Sequence, residues 1–156
     1  DAVHCEWSVI TVTDPERYDA LSYVWGDMNV REHDLVCNGV VIKITRNLWT
    51  ALRAVWAKSP GRRLWVDAIC INQDDIPERN QQVNMMGDIY RRAERVIVWL
   101  GEATELTNGL CRVMEVVEAG GKLSRAALDG PEIARRTWSR RAWTLQEIML
   151  ASHAVV

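Results

Sequence analysis

Two carboxylates sit where apolar residues would be expected. Asp67 interrupts the run 64–71, LWVDAICI. A carboxylate buried there without partners costs several kcal/mol. It must therefore find hydrogen bonds, lie exposed at a strand end, or shift its pKa. Its plainer role is structural, accepting from loop amides such as those of Asn72 and Gln73. The second carboxylate is Glu147. On a helix it shares a stripe with Trp143 before it and with Leu150 and Ala151 after it. By spacing alone it is a surface carboxylate paired with Arg140, a contact worth little. The basic group Arg135, Arg136, Arg140 and Arg141 has the charge to meet phosphates. Its pattern is equally that of a solvated helix face.

Other chemistries find no support. Cys5, Cys37, Cys70 and Cys111 form no CxxC, and His4, His33 and His153 form no ligand pair, so no metal site is expected. There is no G-x-G-x-x-G, P-loop, nucleophile elbow or H-E-x-x-H. A Ser-His-Asp arrangement lacks a histidine beside a strand end. With 19 Lys plus Arg against 21 Asp plus Glu, the net charge of −2 gives no footprint for nucleic acid or an anionic membrane.

These residues need elements to position them. A chain of 156 residues, 48% hydrophobic, can bury a core in one domain without a staple, and no apolar run approaches a bilayer span. No basic and apolar leader is present. The scattered cysteines predict buried free thiols in a reducing, cytoplasmic setting. Starting at Asp1 and ending on an apolar tail, residues 1–156 read as a single domain cut from the N-terminal part of a larger protein.

Strand formers occupy residues 5–13 and 20–25. Asn38-Gly39 between apolar runs predicts a hairpin over about 33–44, because both turn residues must take positive φ. From Thr45, a plausible N-cap, the period changes to that of a helix with Leu48, Leu52, Val55 and Trp56 on one face, ended by Ser59-Pro60-Gly61. Residues 64–66 open a buried strand that runs on through 71. Asp75 and Glu78 have capping-box spacing, and the helix they start carries Val83, Met86, Tyr90 and Ala93 on one face. Residues 95–100 form an apolar strand closed by Gly101. Further helices are expected over about 106–117 and 131–150, and a last strand over 153–156. Alternating strands and helices, with central strands apolar on both faces, predict an α/β fold: a mostly parallel sheet flanked by helices, with a hairpin insertion. In such sheets ligands meet the carboxyl ends of the strands. That directs attention to residues 22–27, 67–75 and 101–104.

The segments together resemble the HET domain, the fungal heterokaryon-incompatibility module. The resemblance rests on YDALSYVWGD (18–27), Asn47-Leu48 with Ala51-Leu52, and LWVDAICINQDD (64–75) continuing to Glu78-Arg79 and Gln82-Val83. Met86, Ile89-Tyr90, Ala93, VIVWLG (96–101) and RAWTLQE (141–147) complete it. It implies a cell-death role in non-self recognition, a form of innate immunity, beside nucleotide-binding regulatory or repeat domains of a parent protein. The family is in turn remotely similar to TIR domains, which implies a flavodoxin-like sheet and self-association. On that comparison Ser22-Tyr23 resembles the first TIR box and residues 67–75 the second, without its usual Arg-Asp-x-x-Pro-Gly run. Trp143 to Glu147 resembles the Trp-Cys-x-x-Glu helix motif, with Thr144 in place of Cys.

The resemblance implies NAD⁺ as substrate, not as bound cofactor, with Glu147 as catalytic carboxylate. Ser22, Tyr23, Trp25, Gly26, Asp67, Asn72, Gln73, Arg140 and Trp143 are the implied substrate-binding residues. Tyr23, Trp25 or Trp143 would stack on a ring and Arg140 would meet the pyrophosphate. The alternative it leaves open is a non-enzymatic module that self-associates and recruits downstream death effectors. Neither nucleic acid nor membrane is an expected partner.

Overall fold

Alternating side chains on the central strand bury two different faces, and two separate cores result. The computed structural model describes residues 2–11, 13, 17–102 and 154–155. Its strands are β1 (Val3–Cys5), β2 (Asp19–Tyr23), β3 (His33–Cys37), β4 (Val40–Ile44), β5 (Leu64–Trp65), β6 (Arg95–Trp99) and β7 (Ala154–Val155). Its helices are α1 (Arg46–Lys58), α2 (Asp67–Cys70) and α3 (Ile76–Arg92). The fold is mixed α/β, with a four-stranded sheet ordered β5-β2-β6-β7 and a three-stranded sheet ordered β1-β3-β4. All pairings in the first are parallel. In the second, β1 runs parallel to β3, and β3 and β4 form an antiparallel hairpin.

β2 is buried along its whole length. On one face Ala20 packs with Val96 and Val98 of β6 and with Ile89, Tyr90 and Ala93 at the end of α3. On the other, Leu21 and Tyr23 pack with Leu35, Cys37, Ile44, Leu48 and Ala51 from the small sheet and α1. Both faces of the parallel sheet are thus covered, which explains its apolar strands. Tyr18 Oη donates to the Ile89 carbonyl (2.6 Å) and Tyr90 Oη to the Leu21 carbonyl (3.2 Å), fastening α3 to β2. Burial pushes the Tyr18 phenol above its usual range, with Arg92 pulling the other way.

Local signals account for the element ends. Thr45 Oγ1 accepts from the Leu48 amide (3.4 Å) and starts α1. Asn38 and Gly39 take φ of 48° and 81° at the hairpin turn, the left-handed pair that a two-residue hairpin demands. Asp75 Oδ1 accepts from the Glu78 amide (3.0 Å) at the start of α3. The reciprocal half of a capping box is replaced: Glu78 Oε1 accepts from the Asn72 amide instead (3.0 Å) and ties down the preceding loop.

Several expectations are corrected. The first strand covers Val3–Cys5 and not residues 5–13. The strand expected over 64–71 stops at Trp65, because Asp67 opens a helical turn: the Ile69 and Cys70 amides donate to the Val66 carbonyl. Val83 is 44% exposed, since α3 meets β2 through Ile89, Tyr90 and Ala93, beyond its reach. Cys5 and Cys37 are not free thiols but a disulfide, because the β1–β3 register sets them side by side. The expected final strand is present at Ala154–Val155, the part of it within the described residues. The helices expected over 106–117 and 131–150 lie outside the described residues.

Candidate functional site

At the carboxyl ends of parallel strands the ladder runs out, and the residues that follow converge on one edge of the sheet. From β2 the chain passes to β5 on one side, then crosses to β6 on the other. This reversal creates a switch point between β2 and β6. Val24, Trp25 and Gly26 leave β2 there, Leu100 and Gly101 leave β6, and Val66 and Asp67 leave β5.

Asp67 is buried (9% exposed) and its carboxylate is engaged on both oxygens. Trp25 Nε1 donates to Oδ2 at 2.8 Å, and the Ala68 amide donates to Oδ1 at 2.7 Å. Gln73 Nε2 donates to the Asp67 main-chain carbonyl (3.0 Å). The Asp67 carboxylate is thus held by an indole and by the Ala68 amide within α2. The Asn72 amide does not fill the role expected of it, since it donates to Glu78 Oε1. Asn72 is exposed, its amide on Glu78 and its Oδ1 accepting from the Asp74 amide (3.2 Å).

Asn47, in the first turn of α1, joins the two strands across the switch point. Its Nδ2 donates to the Val24 carbonyl after β2 (2.5 Å), and its Oδ1 accepts from Trp99 Nε1 at the end of β6 (3.0 Å). Gly26 faces it with φ of 78°, and a Cβ there would stand 3.9 Å from Asn47 Cβ. Conformation and not space therefore calls for glycine at this exit. Ser22 and Tyr23 end β2, both buried, with side chains on opposite faces of the sheet.

The structure thus gathers Ser22, Tyr23, Trp25, Gly26, Asp67 and Gln73 at one sheet edge and leaves Asn72 at its rim. Arg140, Trp143 and Glu147 lie outside the described residues. Beside the rim is a shallow open depression lined by Asn72, Asp74, Asp75, Ile76 and Pro77. Its two carboxylates oppose an anionic ligand. Cys70 is nearby, an exposed residue whose Sγ nonetheless turns back to accept from the Val66 amide (3.4 Å). Burial of the sulfur, aided by the Asp67 charge, pushes the thiol up against that hydrogen bond. A raised thiol is a poor nucleophile, so Cys70 does not extend the site's chemistry.

Sequence reasoning missed two features. Asn47 reads as an ordinary helix-start residue, and only its place in the family pattern marked it. At the opposite, amino end of the sheet, Asp19 is 1% exposed between two guanidiniums. Arg62 Nε and Nη2 donate to it at 2.9 and 3.0 Å, and Arg95 Nε and Nη2 at 3.2 and 2.8 Å. The bonds to Asp19, then that to Glu94 (2.8 Å), raise the Arg62 pKa further. Asp19 and Arg95 are register partners, so this cluster clamps β2 to β6 at the end remote from the switch point. Among the described residues no group of three His, Cys, Asp or Glu could hold a metal, and no helix is long and apolar enough to cross a membrane.

Residues 18–147 match the family described as heterokaryon incompatibility protein (HET). The chain is 30% identical over 211 aligned positions to heterokaryon incompatibility protein 6, OR allele, of Neurospora crassa. That alignment covers 99% of this chain and 30% of the relative, so the chain spans under a third of that protein's length. No solved structure matches the chain.

Proposed function

The chain belongs to the heterokaryon incompatibility (HET) family, and from that premise we propose that it is a cell-death effector domain of fungal non-self recognition that hydrolyses NAD⁺. The observation that carries the reading is the geometry of the β2/β6 switch point, with Trp25 held on Asp67 and Asn47 spanning the strand ends. Counted in chain order within the parallel sheet, the described strands run 2-1-3-4. That order agrees with a flavodoxin-like, TIR-like sheet, whose ligands bind at this switch point.

The chemistry asks little of the protein. Nicotinamide leaves the ribose as a neutral ring from a pyridinium, so no general acid is needed at the leaving atom. Glu147 stabilises the positive ribosyl centre that develops, and Trp143 stacks beside it. Water then adds to the anomeric carbon and loses a proton, giving nicotinamide, ADP-ribose and H⁺. Arg140 binds the pyrophosphate, while Asp67 acts on substrate through the Trp25 indole that it orients.

The test follows nicotinamide by chromatography when the clustered or concentrated domain meets NAD⁺. Release is expected, with Glu147→Ala folded but inactive. Equal turnover by a folded Glu147→Ala protein overturns the assignment.

One observation favours a second reading, a non-enzymatic self-association module. Among the described residues β4 lies at the end of its sheet, with Val40 and Val41 more than half exposed (55% and 58%), and such an edge is a template for pairing with another chain. Its partners would be a second copy and the regulatory domains of a parent protein. Killing that persists without NAD⁺ loss selects this reading.

A further inference from the structure

We propose that Cys5 and Cys37 form a redox-responsive dithiol site, closed by exchange with a small-molecule disulfide of the glutathione class and opened by thiols. The site stands apart from the proposed chemistry and does not depend on it.

The backbone brings the pair together. β1 runs parallel to β3 in the register Val3↔Leu35, His4↔Val36, Cys5↔Cys37. This sets the two Cα atoms 4.8 Å apart, inside the range a disulfide can bridge. The sequence separation is 32 residues, so the bond closes a long loop through β2 and β3. Cys37 is fully buried (0% exposed), whereas Cys5 is only half-buried. An incoming reagent therefore meets Cys5 first.

The exchange balances in two steps. The Cys5 thiolate attacks one sulfur of glutathione disulfide, forming a mixed disulfide and expelling one glutathione thiolate. The Cys37 thiolate, already adjacent, then attacks the Cys5 sulfur and expels the second. Two electrons and two protons leave the protein's thiols and appear as two glutathione thiols. Reduction reverses both steps.

Opening the bond leaves β1 on a short ladder and the margin of one core. β1 has three residues and a single strand neighbour, and it lies at the edge of its sheet among the described residues. Beyond the ladder and the packing of Val3 and Cys5 at the margin of the core around Leu21 and Leu48, its hydrogen-bond anchors are the Asn38 amide donating to the Cys5 carbonyl (3.2 Å) and the Trp7 amide donating to Asn38 Oδ1 (3.2 Å). Both anchors depend on the hairpin turn next to Cys37. A three-residue edge strand so held opens readily. From that hairpin the chain passes directly into Thr45 and Asn47, which set the site end of α1. The bond thus ties the N-terminal segment to the structure that positions Asn47.

The experiment equilibrates the purified chain across glutathione:glutathione disulfide ratios, quenches with acid, alkylates, and maps peptides by mass. A single two-electron transition is expected, with Cys5 linked to Cys37 at oxidising ratios and both alkylated at reducing ones. Amide exchange over residues 2–9 should run at least about tenfold faster in the reduced form, and Cys5→Ser should show the fast exchange at every ratio. A link that stays closed at all ratios makes the pair a static staple and overturns the proposal. So do two thiols that never join, a bond from Cys5 to Cys70 or Cys111, or exchange in residues 2–9 that ignores the redox state.

Discussion

Replacing Asp67 with asparagine tests whether this carboxylate serves the fold or the ligand. Its two oxygens accept from two fixed donors, Trp25 Nε1 at 2.8 Å and the Ala68 amide at 2.7 Å. Asparagine keeps one acceptor and presents an NH₂ to the other donor, so one contact becomes donor against donor. A hydrogen bond to a charged group is worth about 1.5–3 kcal/mol, and a buried donor left unsatisfied costs about 1–3. Against this, a neutral amide is easier to bury than a carboxylate at a residue 9% exposed. The net expectation is a loss of about 2–3 kcal/mol, or about 5–10 °C in Tm for a chain of this size.

Urea unfolding followed by circular dichroism measures the loss without relying on tryptophan fluorescence, which Trp25 variants would disturb. A double-mutant cycle with Trp25→Phe isolates the indole–carboxylate pair, and a coupling of about 1–2 kcal/mol is expected. Per folded molecule, Asp67→Asn should keep most NAD⁺ turnover. Unchanged stability, or strict additivity with Trp25→Phe, refutes the structural role. Activity lost from a normally folded Asp67→Asn variant well beyond the loss in Trp25→Phe would instead place the Asp67 carboxylate on the substrate.

Two further outcomes follow from the buried polar groups. Arg95→Met leaves Asp19 buried with Arg62 alone. Breaking a buried pair costs about 3–5 kcal/mol, but the Arg62 and Arg95 side chains are 35% and 30% exposed. About 2–3 kcal/mol is therefore expected by urea titration, and a change below about 0.5 kcal/mol contradicts the clamp. Cys70 and Tyr18 both have raised pKa values in the fold, so the folded chain keeps these protons after the unfolded chain has lost them. Their stabilisation is complete at neutral pH. It falls as pH rises past about 8.5 for the thiol and about 10 for the phenol. Melting curves from pH 7 to 11 should show this decline, with Cys70→Ala delaying its onset; a flat profile in the wild-type chain refutes it.

Local chemistry explains which parts of the fold could be read from residues alone. The Asn38-Gly39 turn, the Thr45 cap and the Asp75 start each depend on bonds within a few positions, and each is found where the sequence puts it. The β6 strand was legible because burial on both faces leaves a run of apolar residues after Arg95, and β2 because Ala20, Leu21 and Tyr23 keep a strand pattern around the buried Asp19 and Ser22. The extent of the strand at residue 64 was not, since a run such as Val66 to Ile71 suits a strand or a buried turn of helix equally. Asp67 decides between them by accepting from the amide of Ala68, a choice made only once Trp25 arrives from 42 positions away. The Cys5–Cys37 pair was illegible for a related reason. Pairing depends on the register of two strands separated by 32 residues, and spacing along the chain carries no trace of register.

Hydrogen bonds between distant segments also hold the switch point in place. Trp25 and Trp99 leave neighbouring parallel strands, and each indole N–H is fixed on a side chain from another segment, Asp67 and Asn47 respectively. Asn47 is itself tied to the main chain after β2. The strand exits are therefore set by four segments, β2, β6, β5–α2 and the start of α1, and no single loop governs them. Rotation of either ring away from its acceptor would strand a polar group, Asp67 in a buried setting and Asn47 in a half-buried one, at about 1–3 kcal/mol each. Such cross-bracing keeps the rings in one orientation before any ligand arrives, which is what a site must have if binding energy is to go into chemistry and not into ordering. It also predicts where change is tolerated. Asn72, Asp74 and Asp75 at the rim can vary with little effect on the rings, whereas Asn47→Ala releases Trp99 and the β2 exit together, although its side chain need never touch the substrate.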